Sequence, residues 1–465
     1  MLPGTLKECA SALREAEPRY LAIVGRPEEF DREVVNVFHR ETRRIDDDPY
    51  GDCIWGIITG IRAADAMRLA EEVPPLLVER AGGTTNLDPA RFEETVCITD
   101  WGPFHVREQR AGQALSDLRF DSPGAQGKEA QAYRQDGIVL KFKDMLENDR
   151  LQMLVTSSHA TPYNLEMPFE KGLIVSGNGR YHMLTMKDKN EYVEALQREP
   201  REGEGPILDL IARRQYPVIR PDGETRIWLA AGNCLFGDAH RSGNSMALTA
   251  LSSYGCRQLA GYTVPSWYGA AGWGTLDLLF NNHDASSFAE AWYLNNQLIL
   301  ERTLRDYPAL MSVSFNAESI ETARKDDLAF FEGIVKSGYA PNKDVLGLAH
   351  DRDVLAFYGD PLWVARLDES RSVSPWHIDY DGRTLTITAN RDADGKVCYW
   401  FPERRAREDA NAALLATPAR PQGMPLPQTG VLTNDFLIIR QLKLKKGERA
   451  TVTFPAPVEA ETPAS

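Results

Sequence analysis

The chain is predicted to be α/β: a mostly parallel sheet with helices on both faces, followed by a small C-terminal β-sandwich. Three observations predict it. Short apolar runs that end in glycine or small polar residues alternate with helical patterns over most of the chain. That alternation stops near Leu367. Beyond it, residues alternate apolar and polar between turn signals, the pattern of antiparallel strands with one solvated face.

The apolar runs at Tyr20–Gly25, Cys53–Ile61, Leu151–Thr156 and Ile227–Gly232 read as buried parallel strands. Helical patterns cover Ala63–Glu72, Asn244–Tyr254, Ser286–Arg305 and Glu318–Val335, with Asp284 or Ser286 as the expected cap of the third. Gly177-Asn178-Gly179 sits between two apolar runs and reads as a hairpin turn. Residues 1–368 are expected to form the α/β body, with a division into subdomains near 140. Residues 369–456 are expected to form an Ig-like sandwich, carried by HIDYDGRTLTITA, GKVCYWF and FLIIRQLKLKKGERATVTF. TPARPQGMPLPQTG reads as a long loop between those strands, and 457–465 as a flexible tail.

Composition excludes several classes. The chain has 465 residues, 53 basic against 67 acidic, for a net charge of −14. An acidic total without clustered Lys and Arg argues against a nucleic-acid or anionic-membrane binder. No run approaches the ~18 apolar residues of a membrane span. The polar start, MLPGTLKECASALREAEPRY, lacks a secretory pattern, so the expected compartment is cytoplasmic, or secreted if the N-terminus is trimmed. Cysteines stand at 9, 53, 97, 234, 256 and 398 with no C-x-x-C pair, which reads as free thiols in a reducing compartment rather than zinc ligands. The chain has no G-x-x-x-x-G-K-[ST], H-E-x-x-H or G-x-S-x-G, so neither a nucleotide nor a catalytic metal is expected. Asp46-Asp47-Asp48 offers a structural cation site, although an acidic loop ahead of a strand is more often only solvated and EF-hand spacing is lacking.

Two reactive side chains follow buried strands. His159 comes after LQMLVTSS, and Cys234 after IWLAAGN. Ligands of open α/β sheets bind at the carboxyl ends of strands, so neighbouring parallel strands would bring both to one edge. An imidazole beside a thiol promotes the thiolate, the nucleophilic form. The backbone N–H groups of Ala160 and Cys234 could then face the same space as an oxyanion hole. Singly, a strand-end His or a Cys is more often packing; the ordered pair is what points to chemistry. His240, six residues after Cys234, is a rival imidazole.

With these residues in view, the sequence resembles the gingipain-like cysteine peptidases, relatives of caspases and legumains. Four segments carry the resemblance in order: DDDPYGDCIWGIITGIRAADAMRLAEE; LVTSSHATPYN; LAAGNCLFGDAHRSGNSMALTAL running into GYTVPSWYGAAGWGTLDLLF; and DVLAFYGDPLWVARL. They bracket residues 20–367. The resemblance implies a caspase-like fold and thiol-dependent peptide cleavage. Cys234 would be the nucleophile and His159 the general acid/base. Ala160 and Cys234 would give the oxyanion donors, Trp267 would line the S1 pocket, and no cofactor is required. Asp52 falls where family members can place an acidic S1 residue, and an exposed loop aspartate is the alternative. The implied partner is a protein or peptide substrate, with oligomeric state left open.

The chain departs from the family's pattern at three points. His159 is followed by Ala160 rather than Gly, Asn233 precedes the nucleophile where Ala is usual, and 75 residues separate His159 from Cys234, longer than typical. An added hairpin in GLIVSGNGRYHML and a charged helical stretch would account for the length. A catalytically silent scaffold that binds a protein, and a thiol-dependent transpeptidase, are the alternatives to a peptidase.

Overall fold

A computed structural model describes residues 9–99, 105–119, 137–168, 172–202, 205–239, 244–283, 286–315, 320–371, 374–405 and 430–454. In chain order its strands are β1 (Tyr20–Val24), β2 (Ile54–Ile58), β3 (Leu76–Val78), β4 (Arg80–Gly83), β5 (Glu94–Thr99), β6 (His105–Gln109), β7 (Ser116–Arg119) and β8 (Met153–Thr156). Then come β9 (Ala160–Thr161), β10 (Asn164–Glu166), β11 (Leu173–Gly177), β12 (Arg180–Leu184), β13 (Arg226–Ala230), β14 (Cys256–Tyr262), β15 (Leu355–Tyr358) and β16 (Ala365–Leu367). The last six are β17 (Trp376–Tyr380), β18 (Thr384–Ala389), β19 (Ala393–Trp400), β20 (Gly430–Leu432), β21 (Phe436–Leu444) and β22 (Arg449–Thr453).

Ten strands make one mostly parallel sheet in the order β1-β2-β15-β14-β13-β8-β4-β5-β6-β7. The strands β14, β13, β8, β4 and β5 are mutually parallel. Because β15 meets β14 antiparallel and β2 parallel, β1, β2 and β15 run the opposite way. Every residue of β8, β13 and β14 is buried, which is why these strands read as continuous apolar runs. Helices Ala63–Ala70, Ile138–Glu147 and Met246–Ser253 form one group against the sheet; Ala270–Asn281, Phe288–Asp306 and Lys343–Asp351 form another.

The N-cap of Phe288–Asp306 is Ser287, not Ser286, and Asp284 lies outside the described residues. The cause is a capping box: Ser287 Oγ accepts from Glu290 N–H at 3.2 Å, while Glu290 Oε2 accepts from Ser287 N–H at 2.9 Å.

The long interval after His159 folds as a small unit of its own. Strands β9 to β12 form an antiparallel sheet, with Asn178 and Gly179 both at positive φ (54° and 68°) in the β11–β12 hairpin. Helices Met186–Glu202 and Gly205–Arg214 cover it, and Tyr163, Val175, Tyr192 and Leu210 share its core.

The C-terminal strands form two three-stranded sheets, β17-β18-β22 and β19-β21-β20. In β18 burial alternates with partial exposure, as its sequence predicts. The sheet β19-β21-β20 departs from that expectation. Phe436 and Ile438 join the main core while Leu437 and Ile439 join the sandwich core; Cys398 and Trp400 likewise face the main core and Val397 the other. With the body on one side and a sheet on the other, neither face of β21 is solvated along these residues. Residues 417–429 and 457–465, expected as loop and tail, lie outside the described residues.

Candidate active site

Adjacent parallel strands β8 and β13 pair Thr156 with Ala230, so the segments leaving them emerge side by side. At Gly232 a Cβ would overlap Ser157 Oγ, so any larger residue would have to displace that side chain. Asn233, fully buried, donates from Nδ2 to Ser158 O at 2.9 Å and to Ser158 Oγ at 3.2 Å. The residue that breaks the family's pattern therefore laces the cysteine loop to the histidine loop.

The chain then turns sharply. Leu235 sits in the left-handed region at φ 58°, a conformation that costs an ordinary side chain about 1–2 kcal/mol. Leu235 N–H donates to Val264 O at 3.1 Å and Gly237 N–H to Tyr262 O at 2.9 Å, which holds the turn against the loop after β14. The turn presents Cys234 half-buried. Its Sγ accepts from Ser266 N–H at 3.3 Å and lies 3.6 Å from Ser266 Oγ. Cys53, Cys97, Cys256 and Cys398 are buried, and burial raises each thiol: Cys97 to about 11, Cys256 and Cys398 to about 12.

His159 is exposed, and among the described residues its ring makes no hydrogen bond or ion pair. It shares the sheet edge with Cys234, on the neighbouring loop, without a direct hydrogen bond to it. Its carbonyl accepts from Glu166 N–H at 2.8 Å. That bond makes the facing pair Ala160–Leu165 a non-hydrogen-bonded pair, in which the Ala160 N–H points away from β10 at the outer edge of its sheet. Cys234 N–H has no acceptor among the described residues.

Trp267, next to Ser266, is 47% exposed. Its ring lies 5.4 Å from Phe315 and 5.6 Å from His350. His350 is fully buried and donates from Nδ1 to Asp351 Oδ1 at 2.7 Å, so a buried His–Asp pair backs the exposed indole. Sequence reading missed Ser266 and His350. Adjacency to Trp267 was the signal for the first, and the His-Asp dipeptide in GLAHDRD for the second.

Asp52 is fully buried, not an exposed loop residue. Since β2 runs opposite to β13, its start lies on the same sheet edge as Cys234, but three strands away, on the order of 14 Å. There Asp52 Oδ2 accepts from Ile45 N–H at 3.1 Å and Asp46 N–H at 3.2 Å. Burial, with Asp46, Asp48 and Asp435 nearby, pushes its carboxyl up to about 9. His240 lies outside the described residues.

No family model matches the chain, and no curated protein matches it. Among solved structures it is similar to the complex of the pro- and mature domains of RgpB from Porphyromonas gingivalis, at 10% identity and a TM-score of 0.35, over 97% of this chain and 84% of that one. A likeness that loose carries no argument, and the functional reading rests on the residues at the edge of β8 and β13.

Proposed function

We propose that the chain is a cysteine peptidase of caspase-like, gingipain-like fold, acting through a thioester acyl-enzyme. One observation supports this most: the Cys234 thiol, half-buried at the end of a central strand, accepts the Ser266 N–H while four other thiols are buried and raised. In this reading Cys234 attacks the scissile carbonyl carbon, and the carbonyl oxygen becomes an oxyanion held by the N–H groups of Cys234 and Ala160. His159 gives a proton to the leaving amine and then takes one from the water that cleaves the thioester. Catalytic hydrogen bonds are often loose without substrate, so the absence of a His159–Cys234 bond is compatible with these roles. The exposed indole of Trp267 is the wall against which a substrate side chain would lie. Asp52, buried elsewhere, gives no reason to expect a basic side chain there.

Limiting iodoacetamide near pH 6, read by peptide mapping, tests the reading, because an ordinary thiol of pKa about 8.5 is almost wholly protonated there. We expect Cys234 to be labelled first, and at least tenfold more slowly in His159→Ala. Labelling of Cys234 no faster than Cys9 would favour the silent scaffold, which the exposed, unbonded His159 ring also suits.

A further inference from the structure

An open pocket of about 590 Å³ lies between helix Arg32–Glu41, the end of the turn Pro308–Ser312, and the last turns of helix Ile320–Lys336. That volume falls within the range of small-molecule sites, about 300–1,000 Å³. Arg40, Lys336 and three serines, Ser312, Ser314 and Ser337, line it, and among the described residues no carboxylate does.

Positive charge is in surplus behind the pocket. Four guanidinium groups gather on Asp353, whose side chain is 1% exposed. Arg43 pairs with it, Arg352 pairs at 3.3 Å, Arg40 approaches to 4.0 Å, and Arg32 donates to its backbone carbonyl at 2.8 Å. Asp31, beside Arg32, is the second carboxylate acting on this group. Burial lowers Arg32 to about 10, and the Arg40 charge adds to the lowering. Burial lowers Arg352 as well, with Arg43 and Arg40 adding to it. Like charges gathered in a partly enclosed place raise the local concentration of anions.

The walls also hold donors that lack acceptors. Arg40, 43% exposed, spends one terminal nitrogen on Ser314 Oγ, and its Nη1 has no acceptor among the described residues. The same is true of the Ser314 hydroxyl proton and N–H. Neighbouring carbonyls are turned onto buried guanidinium groups instead: Leu310 O and Val313 O accept from Arg352, and Phe315 O from Arg32. On the opposite wall the helix end is capped. Ser337 Oγ donates to Gly333 O at 2.8 Å and Tyr339 N–H to Ile334 O at 3.3 Å, which mutes the negative pole there. Lys336 stands in that last turn, and its exposed pair with Glu332 at 3.2 Å holds it only weakly.

We propose that this pocket binds a small molecule through a phosphate-type oxyanion, with Arg40, Lys336 and Ser314 as the donors. Donors of three kinds from two walls suit a tetrahedral group with several oxygens better than a planar carboxylate, which one guanidinium satisfies. The bound group would bear on the indole of Trp267. Ser314 is followed by Phe315 and Ala329 by Phe330, and both rings lie against His350 behind that indole. The site itself does not depend on the peptidase reading.

The test is calorimetry on the full chain in low-salt buffer, titrated with sodium pyrophosphate and separately with phosphate and with acetate. The expected result is one-to-one, saturable pyrophosphate binding, weaker phosphate binding, no measurable acetate binding, and an affinity that falls as NaCl is added. Arg40→Gln should weaken pyrophosphate binding at least tenfold, and Arg40→Lys less. Should Arg40→Gln fail to fold, as its melting curve would show, Lys336→Gln at the exposed helix end should weaken binding at least threefold. No pyrophosphate heat up to millimolar concentration would overturn the proposal. So would binding unchanged in Arg40→Gln and Lys336→Gln, or acetate bound as tightly as pyrophosphate.

Discussion

The thiol edge and the acidic corner lie on one edge of the same sheet, yet they are chemical opposites. At the thiol edge the N–H groups of Cys234 and Ala160 have no acceptor among the described residues, and Ser266 N–H is directed at sulfur. At the corner acceptors stand without donors: Asp52 Oδ1 and Asn434 Oδ1. Waiting donors suit a charge that turns negative. The two also differ in enclosure. The edge keeps Trp267 and His159 in solvent, whereas the corner is closed by Arg19, Arg404 and the sandwich. A transient substrate needs the first kind of place.

Three changes would break or sharpen that contrast. The largest from a single substitution at neutral pH is Gly232→Ala, which drives a methyl group into Ser157 Oγ. We expect about 1–3 kcal/mol of lost stability and a thiol edge pushed apart, with much of the stability regained in the Gly232→Ala, Ser157→Gly double variant. Chemical denaturation of the three proteins measures it, and an unchanged midpoint in the single variant would show that the two loops are not in contact.

Next is acid. His39 is held neutral by burial, its pKa lowered to about 3. The unfolded chain takes up that proton near pH 6.5, before the folded one. Stability from this group is therefore complete above about pH 6.5 and declines by at most about 1.4 kcal/mol per pH unit as pH falls toward 3. Melting temperatures of the wild type and His39→Gln should converge over that range. Parallel curves would mean that His39 is not the group responsible.

The smallest is Asn233→Ala. Loss of the two bonds to Ser158 should cost about 1–2 kcal/mol. If Asn233 positions His159, kcat on a peptide substrate should fall more than KM rises, and Asn233→Gln should not rescue it. Equal activity in wild type and variant would reduce the lacing to a structural role.

The contrast was only half legible in the sequence. Runs such as LQMLVT and IWLAAG announce buried strands because a strand covered on both faces has no polar positions to interrupt it. Their neighbourhood followed from strand-end chemistry, and β8 and β13 do pair. Strand direction was hidden, since periodicity is the same whichever way β1 and β2 run. The burial of Asp52 was hidden too, because the Asp435 beside it belongs to a distant part of the chain. Asp435 itself left no trace, because a partner 383 positions away has no local pattern. Ser287 did leave one, the Ser-x-x-Glu of a capping box. Asn233 read only as a departure from the family's pattern, since nothing in the sequence sets Ser158 beside it.

The alternation in β21 has a consequence for how the molecule comes into being. Side chains of the main core arrive from β1, near the start, and again from Cys398, Trp400, Phe436 and Ile438, near the end. Arg19 and Asp435 close a loop of 416 positions. During synthesis the first strands must therefore wait, one wall open, until the strand that carries Phe436 and Ile438 has left the ribosome. Contacts of such long range slow folding and prolong the exposure of apolar surface. The late-made sandwich thus acts as the lid on a core begun hundreds of residues earlier.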